Sequence, residues 1–383
     1  MSDVRLRHVA SLVTDAPSGD VLPYLALEHV EGGVGLLVPG TELELRVPTD
    51  AGMVELKPGD VCFGKLRPYL AKSIRAIERC LASTELVGMR ASSQVDSRWL
   101  RYQVMSTPFV EWAVATSEGT KMPRTSWESM SDFRLSPPSL EAQRVIADHL
   151  DAETARIDAL ITKRQRQIEL LDERFRSRVR GLVALGSRIP IRRITLRTKT
   201  GATPPGDVAE SLKGGDVEWI SPGDIGGFCR VERASRHLAG RAVSGGWCPP
   251  FPAGSTAVVG VGATAGRVGH LDRDATGNQQ ITALVPNERI LPRFLSWQLW
   301  VREADLRAEA SATTLPLITN DQLRSMAVFV PTLDRQRSAV ADVGRLESER
   351  SAMQRLLLRH IELARERRQA LITAAVTGEL AIA

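Results

Sequence analysis

PSLEAQRVIADHL, residues Pro138–Leu150, has a second version in PTLDRQRSAVADV, residues Pro331–Val343. Pro138, Leu140, Gln143 and Arg144 face Pro331, Leu333, Gln336 and Arg337, and further on Ile168, Glu169, Leu170, Glu173 and Arg174 face Ile361, Glu362, Leu363, Glu366 and Arg367. Every pair is 193 positions apart, as 336 is from 143, about half of the 383 residues. Chance does not hold one offset over roughly 45 positions, so the chain is a tandem duplication.

Both copies read as long helices. In the first, Leu150, Thr154, Ile157, Ile161, Arg164, Ile168, Leu171, Phe175, Arg178 and Leu182 alternate steps of four and three, the seam of a coiled coil. Pro138-Ser139 is the start signal, and Gly181 and Gly186 are the stop signals. A helix of that length is about 65 Å long at 1.5 Å per residue. In the second copy Val343, Leu357, Ile361, Ala364, Leu371 and Ala375 keep the stripe, interrupted by Arg350, Gln354 and Arg368. An amphipathic helix this long cannot bury its seam alone, so each copy is expected to be the other's antiparallel partner. A generic dimerisation segment would not explain why the helix occurs twice, each time behind a β-rich segment.

The duplication extends into those segments. Leu6-Arg7-His8-Val9 returns as Ile191-Arg192-Arg193-Ile194, the Tyr24–Val30 stretch as Trp219–Ile225, and Arg98-Trp99-Leu100 as Arg293-Phe294-Leu295. The offset grows from 185 to 195 and settles at 193, which puts about ten extra residues near Thr200–Asp207 of the second segment. Residues 56–74 and 251–271 read as strand, Gly-bearing turn and strand, and 97–106 and 292–301 as helices. The fold class is α/β (α+β): two globular heads joined to a long antiparallel two-helix coiled coil, with an internal pseudo-twofold. Expected boundaries are 1–137, 138–186, 187–330 and 331–383.

A hydrophobic content of 43% with 25% charged residues suits a globular core. The opening MSDVRLRHVA has no apolar signal stretch and no run is long enough to span a bilayer, so cytoplasmic residence without a membrane is expected. Cys62, Cys80, Cys229 and Cys248 lie far apart and read as reduced thiols. A net charge of +5 mildly favours an acidic partner such as nucleic acid.

No complete catalytic, cofactor or metal constellation emerges. Gly260-x-Gly262-x-x-x-Gly266 follows an apolar run, but strand-like Arg267–Leu271 comes after it, where a phosphate-binding loop needs a helix. Cys248-Pro249-Pro250-Phe251 is like the Asn/Asp-Pro-Pro-aromatic motif of amino-methyltransferases, yet cysteine lacks the carbonyl oxygen that would accept from the target amine. The six histidines have no ligand spacing and stand beside no nucleophile. Basic and amide-bearing loops remain: Lys65, Arg67, Tyr69 and Lys72 on one hairpin, then Lys121 and Arg124, and in the second head Arg236, Arg267, Asn278, Gln279, Thr313 and Thr314. Lys and Arg neutralise phosphates, while Arg, Asn and Gln bond base edges bidentately.

These segments, in this order and twice over, resemble the DNA-specificity subunits of type I restriction–modification systems. The resemblance covers nearly the whole chain. It is carried by Gly59-Asp60 with Phe63-Gly64-Lys65-Leu66-Arg67-Pro68-Tyr69-Leu70, by Ser83-Thr84-Glu85-Leu86, by Gly201-x-Thr203-Pro204 followed by Trp219, by Asn278-Gln279, and by the Pro-x-Leu-x-x-Gln-Arg openings of both long helices. It implies two target-recognition domains, each reading half of a bipartite double-stranded DNA site, and a helix pair acting as ruler. Two modification (methyltransferase) subunits would dock on the helices, with Gln143, Arg144, Ile157, Ile161, Ile168, Leu171, Phe175, Gln336, Arg337, Leu357, Ile361 and Leu371 as coiled-coil and docking residues. It also implies a non-catalytic chain: S-adenosylmethionine, ATP and Mg would sit in the modification and restriction partners. The second helix opens SAVADV where the first has VIADHL, so the two docking surfaces need not be alike. A coiled-coil scaffold that binds protein without reading DNA is the competing function, and a self-sufficient methyltransferase stands behind it.

Overall fold

In the computed structural model, which describes residues 3–48, 52–205, 213–310 and 316–382, the chain divides into two units. One comprises Met1–Arg166 with Leu357–Ala383, the other Gln167–Leu356. Each therefore holds one head and one stretch of both long helices, which run from Leu140 to Val183 and from Leu333 to Thr377.

In the first unit an antiparallel sheet runs in the order Ala10–Leu12, Leu86–Ala91, Val61–Gly64, Ser73–Arg75. A second sheet has the order Leu45–Arg46, Leu22–Leu25, Cys80–Ala82, Val54–Leu56, with Tyr24 opposite Leu81 in a parallel pair. Helix Ser97–Met105 starts where the Asp96 carboxylate accepts from the Arg98 and Trp99 amides, and it buries Trp99, Leu100 and Tyr102. Phe63, Phe109 and Phe133 stack edge to face at 5.3 and 5.2 Å within this core.

The second unit repeats the plan. Its antiparallel sheet is ordered Thr195–Thr200, Ile281–Pro286, Thr256–Val259, Val268–His270, and its second sheet pairs Trp219 in parallel with Thr276. Helix Pro292–Trp300 lies 195 positions after Ser97–Met105, and the long helices start 193 apart. The shifts read from the sequence are thus those of the elements themselves.

Within each unit the long helices run antiparallel. In the first, Asp158 meets Arg368, while the earlier Ala147 and Leu150 join a cluster with the later Ile372, Ala375 and Val376. In the second, Asp172 meets Arg350, while the later Phe175, Val179 and Val183 share a cluster with the earlier Val343 and Ala339. Two expectations need correction. Gly181 does not stop the first helix, which ends at Val183 just ahead of left-handed Gly186. In its last turns the buried positions are Val179 and Val183, with Arg178 exposed, because the helix there rolls onto its head's aromatic core.

The cations that interrupt the second helix's stripe lie in the seam. Arg368, with a side chain 5% exposed, donates to Asp158 at 2.9 Å and to the carbonyls of Gly33 and Val34 at 2.7 and 2.6 Å. Arg350 donates to Asp172 at 2.7 Å and stacks 3.4 Å above the Phe228 ring. A buried guanidinium is costly unless its donors are answered, as those of Arg368 are; Arg350 leaves its Nε without an acceptor and relies on Asp172 and the Phe228 ring. Replacing Arg368 by Met should cost about 3 kcal/mol, because it strands a carboxylate and two carbonyls; urea denaturation reads it, and an unchanged midpoint would remove the pair from the stability of this unit.

Candidate nucleic-acid interface

In each unit three loops meet at one place, joined by the same backbone bonds. In the first unit the Lys65 amide donates to Glu85 O, Thr125 to Lys65 O and Arg67 to Pro123 O, at 2.8, 2.9 and 2.8 Å. In the second, Gly260 donates to Gln280 O, Ile318 to Gly260 O and Gly262 to Pro316 O, at 2.7, 2.8 and 3.1 Å. A bridge between Leu66 and Arg124 has its counterpart between Val261 and Leu317. The scaffold under the loops is common to both units, and the side chains it carries differ.

The first unit's loops are cationic. Arg67 and Lys121 are exposed, Tyr69 is 53% exposed on the turn Pro68–Leu70, and Lys65 is half-buried beside them. Lys72 and Arg124 are committed elsewhere: the Lys72 ammonium donates to Leu27 O at 2.9 Å, and Arg124 chelates Glu85 with both contacts at 2.6 Å. Arg67 stands in the left-handed region at φ 50°, and its counterpart 195 positions on is Gly262, at φ 100°. The same exchange recurs between Ala71 (φ 47°) and Gly266 (φ 89°). A non-glycine residue there costs on the order of 1 kcal/mol, so the first unit carries its arginine at the expense of backbone strain.

The second unit's loops are neutral at this place. Asn278 folds inward, accepting from the Gln280 amide and donating to the Gln280 side chain, at 3.1 and 3.0 Å. Gln279 is exposed and its carbonyl accepts from the Thr203 hydroxyl at 2.6 Å. Gly201 lies so close to the Gly277 and Asn278 carbonyls that a Cβ would meet them at 2.2 and 2.3 Å, and the Trp219 indole donates to Ala202 O at 3.1 Å. The Gly201-x-Thr203-Pro204, Trp219 and Asn278-Gln279 segments are therefore one packed joint. Arg236 is exposed, its guanidinium 5.7 Å from the Trp219 ring, and Arg267 is exposed. Thr313 and Thr314 lie outside the described residues. Cys248 is buried against Ala202 O and the Pro249 carbonyl accepts from Thr276, a structural turn.

The coiled-coil residues separate into two kinds. Ile157, Phe175, Leu357 and Ile361 are buried in the seam, Ile161, Ile168, Leu171 and Leu371 are half-buried, and Arg144 and Arg337 are exposed. Gln143 and Gln336 are 1% and 0% exposed, so neither is a docking surface. Gln143 donates to Pro138 O and Gln94 O and accepts from the Asp96 amide, while Gln336 donates to Pro331 O and Arg289 O and accepts from the Leu291 amide. Both fasten a long helix to its own head.

His270, Ser296 and Asp272 come together without forming a nucleophilic site. Ser296 is fully buried, its hydroxyl 3.1 Å from Pro292 O, 2.7 Å from the Thr256 hydroxyl and 3.0 Å from His270 Nδ1, while Asp272 lies 3.7 Å from His270 Nε2. Among the described residues no cluster of His, Cys, Asp or Glu is fit for a metal ion.

The mixed α/β fold is built twice in one chain with a helix pair, and known proteins share parts of its sequence and all of its fold. The family model described as the type I restriction modification DNA specificity domain matches residues 194–352. The chain is 27% identical over 168 residues to the type I restriction enzyme EcoR124I/EcoR124II specificity subunit of Escherichia coli, covering 43% of this chain. That alignment spans only 41% of the relative's length. Among solved structures, the HsdS subunit from Thermoanaerobacter tengcongensis superposes over 99% of this chain and 97% of that one, with TM-score 0.53 and 18% identity. A chain of "Structural basis underlying complex assembly and conformational transition of the type I R-M system" does so over 99% and 98%, with TM-score 0.77 and 18% identity. Residues 194–352 thus match the type I restriction modification DNA specificity domain, and the whole chain shares its fold with the two solved structures.

Arg67→Gly should raise stability by about 1 kcal/mol in chemical denaturation, since it places in the first unit the residue type the second already has; a destabilised variant would mean the side chain contributes more than its backbone costs. Burial holds His270 down at about 4, against 6.5 in the unfolded chain. The unfolded chain then binds the extra proton in that window, so stability is full above pH 6.5 and falls as the pH drops toward 4. His270→Gln should flatten this part of the profile, and a profile parallel to that of the parent would assign the acid sensitivity to other groups.

Proposed function

We propose that this chain is the non-catalytic DNA-specificity subunit of a type I methyltransferase/endonuclease assembly. Each unit reads one half of a bipartite duplex site, and the long helices recruit adenine methyltransferase (modification) subunits and, with them, restriction subunits. The observation that carries this is the pair of three-loop platforms, held by matching backbone bonds and furnished differently: Arg67, Tyr69 and Lys121 on one, Gln279 with Thr203 on the other. One scaffold with two sets of side chains suits the reading of two different half-sites. S-adenosylmethionine belongs in the modification subunits, and ATP and Mg in the restriction subunits.

Protein docking is supported by apolar side chains left uncovered on the long helices: Leu160, Leu358 and Leu363 in the first unit, and Leu170, Leu356 and Met353 in the second are 42–58% exposed. No described helix is long and apolar enough to cross a membrane.

The test is duplex binding measured against salt, with the methyltransferase subunit present. Several phosphate contacts give a steep log–log slope, whereas a scaffold that only binds protein shows little DNA affinity at any salt. Replacing Arg67 by Ala should weaken binding of the cognate duplex by about 1–3 kcal/mol and relax discrimination in one half-site. Replacing Lys121 by Ala should weaken all duplexes alike and lower the slope by about 1. Unchanged affinity and specificity in both variants would take this platform out of the interface.

A further inference from the structure

The second unit has a basic cavity lined by arginines that its duplicate does not share at the matching positions. Arg176, Arg180, Arg267 and Arg307 line an opening of about 420 Å³ together with Gly266 and one carboxylate, Glu303. Glu303 is already engaged, accepting from the Val268 amide at 2.9 Å and from Arg176 at 3.2 Å. Four guanidiniums against one carboxylate leave a local charge of about +3.

The fold does not require this charge. Arg176 caps the end of helix Pro292–Trp300 by donating to Trp300 O at 2.8 Å. Its counterpart 193 positions on, the uncharged Gln369, caps Met105 O at 2.8 Å in the first unit. The residue matching Arg180 is Thr373, which accepts from the Thr107 amide at 3.0 Å. The residue matching Arg267 is Lys72, already spent on Leu27 O. The duplicate solves the same packing problem at the helix end with amide and hydroxyl groups.

The arginines are held in place by part of their donor sets. Arg180 donates to Val301 O at 2.9 Å, and Arg307 to Ala265 O and Ala263 O at 3.4 and 3.2 Å. The Arg267 guanidinium donates to no acceptor among the described residues, though its charge acts on Glu303. Gly266, at φ 89°, brings it in: a Cβ there would meet Glu303 O at 2.9 Å and the Arg307 amide at 3.0 Å. Many N–H donors thus converge on one opening with no acceptor of their own, which is the complement of an oxyanion with several lone pairs.

We propose that this cavity is a phosphate-binding site for the DNA backbone, present in the second unit only. It rests on the DNA-reading function above and adds an anchor that fixes that unit on the duplex without reading sequence.

The test gives the second unit the first unit's residues. Arg176→Gln with Arg180→Thr keeps the helix cap, and Arg267→Gln removes a guanidinium that makes no hydrogen bond among the described residues. The full-length chain is titrated with a fluorescent duplex at several salt concentrations, in a cognate and a scrambled sequence. The expected result for Arg267→Gln and for the double variant is a three- to tenfold weakening on both duplexes, with a log–log slope about 0.9 smaller because one phosphate is no longer neutralised. Thermal melting and the single variant separate this from misfolding. Unchanged affinity and slope in a variant that melts like the parent would overturn the site while leaving the DNA-reading function standing. A weakening confined to the cognate duplex would make it a base-reading site, and failure to bind the methyltransferase at full DNA affinity would assign it to a partner's carboxylate; either overturns the proposal. A parent chain that binds no duplex at any salt would instead defeat the underlying function.

Discussion

A buried primary amide at the start of each long helix determines how the heads and the helices can be coupled. Gln143 and Gln336 each use both ends of the side chain, donating to two carbonyls and accepting one amide of the head's own helix start. Asn is one methylene too short to reach across that gap, and Glu has no donor for the carbonyls. An unanswered buried acceptor costs about 1–3 kcal/mol, so three bonds per glutamine define one angle at which a helix leaves its head. The seam below can then be specific. Asp158 meets Arg368 and Asp172 meets Arg350 because the helices enter at fixed rotation, and each guanidinium also meets a head loop, Gly33 and Val34 in one unit and Phe228 in the other.

Each of these buried cations does two tasks with one side chain. The carboxylate on the facing helix offsets its charge, and the head loop supplies carbonyl oxygens or an aromatic face. A leucine in the same place would bury more apolar area yet hold neither the loop nor the register. Buried ion pairs add little to net stability compared with well-packed hydrophobic residues, but they penalise every alternative pairing of the two helices. That is the property a coiled coil within one chain needs, since a slip of one heptad would carry both heads' loops out of contact.

Much of this architecture was legible in the sequence, because a duplication compares the chain with itself. A constant offset marks positions that the fold constrains, and breaks in it mark insertions; the 185, 195 and 193 shifts recur between the first strands, the core sheets and the long helices. Periodicity found the helices and most of the seam. It misjudged Arg350 and Arg368, because a pattern of apolar residues cannot show that a cation is answered from another segment. It also carried the seam through Arg178 and Leu182, where the aromatic core of Phe175, Trp297 and Trp300 rotates the helix onto Val179 and Val183. Gln143 and Gln336 were visible as repeated residues, but their burial was not, since a polar residue at the start of a helix reads as a surface one.

The candidate loops were legible as places more than as chemistry. Lys72 and Arg124 look like free cations in the sequence, yet a carbonyl and a carboxylate hold them. The second unit's Arg176, Arg180 and Arg307 drew no notice because they come from separate segments, and only Arg176 and Arg180 share a helix face. Backbone conformation separates what the loops share from what they vary. Where one unit has Gly262 the other strains Arg67 into the left-handed region, and where the first has Gly33 at φ 69° the second strains Phe228 at φ 59°. A shared scaffold supplies the turn in both units; glycine is the residue that relaxes it, so a large side chain kept there is held for what it touches. For Phe228 the contact is visible: its ring lies against Arg350, Phe175 and Trp300. Arg67 points to no such internal partner among the described residues, and a strained, exposed, uncommitted guanidinium is best explained by a partner outside the chain.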